Sequence, residues 1–130
     1  MRADAFSSVS RILEAARAVF ATGEGAGTLE KIAHEAGVGI ATLYRHFPNR
    51  QILARAVYER VFTAEIEPLL ARLQATSAPR DVLLEVAERI ADVARRERGL
   101  VTSIGNLAEV TAHLLARHAE SFAQVVTRAQ

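Results

Sequence analysis

Gly37 interrupts an apolar pattern that resumes within a few residues along a new direction. Before it, Leu29, Ile32, Ala33 and Ala36 recur at the spacing of one helical face. After it, Leu43 and Phe47 form the inward face of a shorter helix from about Ile40 to His46, with Val38 packing from the turn. Neither stripe is long enough to make a core by itself, so the two helices must cross and share one. Glycine at the turn permits the left-handed backbone that ends the first of them. Two helices joined by a turn of about three residues containing glycine form the helix-turn-helix layout.

The flanking sequence is read the same way. Val9, Ile12, Leu13, Ala16, Val19 and Phe20 lie on one helical face, with Ser7 or Ser8 as the expected N-cap and Gly23, Gly25 and Gly27 as the following loop. Thr28 is the expected N-cap of the helix Leu29–Ala36. Asn49 caps a fourth helix carrying Ile52, Leu53, Ala56, Val57, Val61 and Ala64. Pro68 falls inside the continuing stripe Ile66, Leu69, Leu70, Leu73 and predicts a kink or a short break. A fifth helix starts at Pro79 or Arg80 with Val82, Leu83, Val86, Ala87, Ile90 and Val93, and Gly99 is expected to close it. Leu100–Ile104 is one further short turn before Gly105. The last helix runs from about Asn106 through Leu107, Val110, Leu114, Leu115, Phe122 and Val126. It is still periodic at Ala129 with no stop signal, so helices that complete the unit are expected beyond it. No alternating strand pattern occurs. The expected fold is all-α: a three-helix head at 1–50 and a helical body at 51–130, partial as it stands.

Composition removes several classes of chemistry. The chain has 130 residues and no cysteine, which excludes disulfides, thiolate metal sites and cysteine nucleophiles. It contains no H-E-x-x-H, no G-x-S-x-G and no P-loop, so no enzyme is expected and no cofactor. Glu85 and Glu88 read as solvated helix charge. His113 and His118 are five apart, out of line for a two-histidine metal face, so no metal is expected. No apolar run approaches the ~18 residues that cross a membrane, and residues 1–10 lack a signal-peptide core, which makes the cytoplasm the expected location. Net charge is +1 overall, +2 over residues 1–60 and −1 over 61–130. A nucleic-acid ligand therefore has to be met by locally placed groups rather than by bulk charge.

Such a placement exists on the second helix of the pair. Gly39, Ile40, Ala41, Thr42, Tyr44 and Arg45 face outward on a helix too short to bury them. Small and apolar groups suit the thymine methyls of the major groove. Thr28, Thr42, Tyr44, His46 and Arg50 sit where phosphates are gripped, and such contacts fix register rather than sequence. Packing is the alternative role for Tyr44 and solvation the alternative for His46, while Lys31 reads as a solvated group with a backbone contact as its alternative.

The segment Thr28–Leu53 resembles the DNA-binding head of the TetR family. The residues that carry the resemblance are Thr28, Ile32, Ala33, Ala36, Gly37, Val38, Thr42, Leu43, Tyr44, His46, Phe47 and Leu53, joined by Ile12, Leu13, Ala16 and Phe20 of the first helix. The resemblance implies a homodimer bound to a palindromic operator in double-stranded DNA, and a repressor released when a small-molecule effector enters the helical body and moves the fourth helix. Three positions depart from it. Gly39 stands where serine or threonine is frequent, Arg50 replaces the usual lysine, and the chain is shorter than typical members, whose dimerising C-terminal helices have no counterpart here.

Candidate effector-pocket residues are Phe62, Ile66, Leu70, Leu83, Val86, Ile90, His113 and Leu114, against plain core packing as the competing role of such a stripe. Arg95, Arg96 and Arg98 around Glu97 read as a solvated helix end. A second functional reading keeps the head as scaffold for a small-ligand-binding or partner-binding helical protein. Outward-facing recognition residues favour the first reading. A monomer with uncovered apolar faces favours the second.

Overall fold

The computed structural model describes residues 2–23 and 28–117. Among them are eight helices and no strand: α1 (Arg2–Ala21), α2 (Thr28–Ala36), α3 (Ile40–His46), α4 (Arg50–Glu65), α5 (Glu67–Ala75), α6 (Pro79–Arg96), α7 (Arg98–Ile104) and α8 (Leu107–Ala116). The all-α expectation holds. Residues expected beyond Arg117 in the last helix, and Gly25 and Gly27 of the first loop, lie outside the described residues.

The chain forms two compact units. Unit 1 is Met1–Tyr58 with Glu97–Gly105, and unit 2 is Glu59–Arg96 with Asn106–Gln130. In unit 1, α1 packs on α2 and on α7, and α2 on α3. Its core is the stripe foreseen from periodicity, with Ile12, Ala16, Phe20, Ile32, Ala33, Leu43 and Leu53 all removed from water. In unit 2, α5 packs on α6, and Leu69, Leu70, Leu73, Val82, Val86 and Val93 are buried.

Three boundaries differ from expectation. α1 starts at Arg2, so Ser7 and Ser8 lie inside it rather than capping it. The break expected at Pro68 comes two residues earlier, at Ile66 between α4 and α5. Proline lacks an N–H and its ring crowds the carbonyl four residues back, so it fits the first turn of a new helix and not the middle of an old one. Leu69 and Leu70 both donate to the Ile66 carbonyl, at 3.0 and 3.1 Å, which starts α5 cleanly. Gly99 does not close α6, which stops at Arg96, but lies within α7. A Cβ there would stand 1.9 Å from the Phe20 carbonyl oxygen, so glycine is needed for close approach of two backbones and not for a cap.

The expected cap of α4 is formed, and α8 has one that the sequence reading did not assign. The Asn49 side-chain oxygen accepts from Ile52 N–H at 2.9 Å. Asn106 accepts from Glu109 N–H at 3.1 Å while its amide donates to the Glu109 carboxylate at 3.2 Å. Each cap satisfies an amide the helix itself cannot pair.

Candidate nucleic-acid interface

The candidate interface begins at the end of α2. Gly37 adopts φ +71°, Val38 N–H donates to the Ala33 carbonyl at 3.0 Å, and Gly37 N–H donates to the His34 carbonyl at 3.1 Å. This pair of bonds is a Schellman motif, which stops a helix within one residue and turns the chain sharply. α3 then starts from Gly39, whose backbone is extended and which makes no side-chain cap. Leu43 is fully buried and Phe47 nearly so, which fixes the rotation of α3 about its own axis.

That rotation decides what faces water. Ile40 and Tyr44, one turn apart, are 39% and 46% exposed, and Gly39, Ala41 and Arg45 are exposed beside them. Thr42 and His46 are half-buried on the flank, with the His46 ring 6.3 Å from that of Phe47. The result is one continuous outward surface of apolar, aromatic and cationic groups on seven residues. Its chemistry matches a groove floor with thymine methyls and a phosphate wall. α2 begins at Thr28, whose side chain lies outside the described residues.

Arg50 is not presented with this set. It is half-buried, its Nη2 donates to Ser103 Oγ at 2.9 Å, and its guanidinium carbon lies 5.6 Å from the centroid of the Phe20 ring. Both contacts draw the side chain toward α7 and α1.

Two groups near this region were not legible as partners. Glu97, read as part of a solvated helix end, is the one buried charged side chain among the described residues and is ion-paired with Arg17 of α1. Gln51 donates to the Ile104 carbonyl at 3.0 Å. The only local signal for either was Gly99, a glycine inside a helical pattern, which marks close packing. The other arginines of the run behave as solvated groups. Arg95 and Arg96 pair with Asp92, at 3.7 and 3.2 Å, and Arg96 also meets Glu65.

The effector candidates all fall in unit 2 but not in one environment. Phe62, Ile66, Leu70, Val86 and Leu114 are buried, Ile90 is half-buried, and Leu83 and His113 are exposed. A cavity of about 500 Å³ lies instead in unit 1 between α1 and α2, where Arg11, Glu14, Lys31 and Glu35 rim a floor of alanines. None of the eight candidates lines it. Among the described residues no group of three histidine or acidic side chains is placed to hold a metal ion, and no helix is long and apolar enough to cross a membrane.

Comparison with known proteins adds to this geometry. The profile of the bacterial regulatory proteins of the tetR family matches residues 12–57, from the middle of α1 to the first half of α4. The chain is similar to the TetR transcription regulatory protein from Mycobacterium vanbaalenii, seen in its crystal structure, at 33% sequence identity and a TM-score of 0.63. That similarity covers 99% of this chain and 79% of the other. The search of curated proteins returns no match.

Proposed function

The chain belongs to the TetR family of bacterial regulatory proteins and is a DNA-binding transcriptional regulator, and from that premise we propose that it is a repressor that reads a palindromic operator as a homodimer and leaves it when a small molecule binds unit 2. The observation that carries the reading is the outward face of α3. Ile40 and Tyr44 are left in water on a helix whose opposite side is closed by Leu43 and Phe47. Exposed groups of this kind on a helix-turn-helix are what base edges and phosphates recruit. Ile40 and Ala41 approach the groove floor, Tyr44 and His46 the phosphates, and Arg45 either one.

A single head makes few phosphate contacts, so its binding is weak and salt-sensitive. Two heads on one dimer make the second contact intramolecular and multiply the affinity. Release follows if the effector favours a dimer whose heads no longer match the operator spacing. Phe62, Ile66, Leu70, Val86 and Leu114 are the groups an apolar effector would part, since they are buried in the interior of unit 2. Family members are regulators rather than enzymes, and the interface residues here are suited to contact, not to bond-making.

The test is a fluorescence-anisotropy titration with the duplex upstream of the protein's own gene and a scrambled duplex of equal length, with Tyr44→Ala alongside. Salt-sensitive preference for the upstream duplex, weakened by the substitution, is the expected result. Equal weak binding to both duplexes, indifferent to Tyr44, would overturn the reading. A second reading, a partner-binding helical protein, is favoured by the exposure of Leu83 and Leu84 on α6, at 47% and 59%. Mass in solution separates the two, since a stable monomer that ignores DNA supports the second.

A further inference from the structure

We propose that α7 and its flanking residues, 97–105, are a positioning element of the DNA-reading unit, acting on α1 and on the first turn of α4 through four separate contacts. The inference rests on the DNA-binding reading of α3 and extends it to a segment well outside the helix-turn-helix and outside the residues matched by the family profile, 12–57.

The four contacts, an ion pair, a close backbone approach and two hydrogen bonds, converge on the two helices that bracket α2 and α3. The buried carboxylate of Glu97 pairs with Arg17 of α1. Gly99 lies so close to the end of α1 that a Cβ would meet the Phe20 carbonyl oxygen at 1.9 Å and the Phe20 carbonyl carbon at 3.0 Å. Ser103 Oγ accepts from Arg50 at 2.9 Å and itself donates to the Gly99 carbonyl at 3.1 Å, which aims the hydroxyl. The Ile104 carbonyl, at the end of α7, accepts from Gln51 at 3.0 Å. Leu100 and Ile104, both 2% exposed, complete the contact with apolar packing.

Arg50 and Gln51 are the first two residues of α4, and only Phe47, Pro48 and Asn49 separate that helix from α3. Phe20 is near the last turn of α1, the helix on which α2 packs. α7 therefore grips both ends of the path that holds the recognition helix. A hydroxyl held in place by its own helix and a backbone approach that admits only glycine are directional constraints, unlike a general apolar contact. The reading unit is α1 to the start of α4 together with α7, in agreement with the compact unit Met1–Tyr58 with Glu97–Gly105.

The experiment uses the full chain in three variants, Gly99→Ala, Ser103→Ala and Ser103→Thr, each read by amide hydrogen exchange without DNA and by anisotropy with the upstream duplex. Gly99→Ala is expected to raise exchange about tenfold or more in α1, α3 and the first turn of α4, a loss of about 1.4 kcal/mol of local stability. Exchange in α5 and α6 should stay unchanged. Ser103→Ala is expected to act in the same direction, confined to the start of α4 and α3, and Ser103→Thr, which keeps the hydroxyl, to restore the wild-type pattern. Uniform acceleration across all helices, or none in α3 and α4, overturns the proposal whatever the DNA result. If the wild type binds the upstream duplex, both alanine variants should weaken binding by several-fold, and unchanged affinity with altered exchange also overturns it. Failure of the wild type to bind DNA would count against the repressor reading alone, because the exchange data judge the positioning independently.

Discussion

Leu43 and Tyr44 are neighbours in α3 with opposite surroundings, and replacing each by alanine should produce opposite phenotypes. Leu43 is 0% exposed and Tyr44 is 46% exposed. Truncating a fully buried leucine costs about 2–5 kcal/mol, least where the surroundings collapse into the space. α3 has seven residues and rests on α2, so some collapse is available, and about 3 kcal/mol is the expected loss for Leu43→Ala. At about 3–5 °C per kcal/mol for a chain of this size, the melting temperature falls by about 10–15 °C. Tyr44→Ala removes a side chain already half in water, so its stability cost stays below about 0.5 kcal/mol. Its DNA contact is worth about 1–3 kcal/mol per head, roughly 5- to 150-fold in Kd. Circular-dichroism melting and DNA anisotropy at two salt concentrations read both quantities on the same samples. A melting temperature for Tyr44→Ala as low as that of Leu43→Ala would refute the assignment of the two faces of α3. So would DNA affinity unchanged by Tyr44→Ala in a protein whose wild type binds.

Other predictions follow from single contacts. Asn49→Ala removes the cap of α4 and should cost about 1 kcal/mol in urea denaturation, with the midpoint lowered and the m-value unchanged. Gly37→Ala forces a Cβ into φ +71° and should cost about 1–2 kcal/mol by the same assay, although the nearest atom to that Cβ is 3.9 Å away, so the penalty is backbone strain rather than collision. Glu97→Ala deprives Arg17 of its partner, but Arg17 is 48% exposed and rehydrates, so the loss should be about 1–2 kcal/mol and not the larger figure of a fully buried pair. Arg72→Ala breaks a 2.7 Å ion pair with Glu85 whose side chains are 56% and 46% exposed, and should shift stability by less than about 1 kcal/mol, an effect erased in 1 M salt.

Local chemistry accounts for most of what was legible in advance. The helix-turn-helix needed only the two apolar stripes around Gly37, because a 3.6-residue period and a left-handed glycine are properties of short segments. The same holds for the cap at Asn49 and for the outward set Ile40, Ala41, Tyr44 and Arg45, since burying Leu43 and Phe47 leaves those positions no other direction. Tertiary structure alone decided what depends on residues far apart in the chain. That Glu97 is buried against Arg17, that Gly99 admits the Phe20 carbonyl, and that Arg50 turns to Ser103 are pairings across 80, 79 and 53 positions. No period or cap encodes such a distance. A glutamate among arginines carries the same local signal whether solvated or buried, and a glycine the same signal whether it ends a helix or lets another backbone approach. The choice between those outcomes is made by which helix packs against which, and in this protein α7 packs on α1.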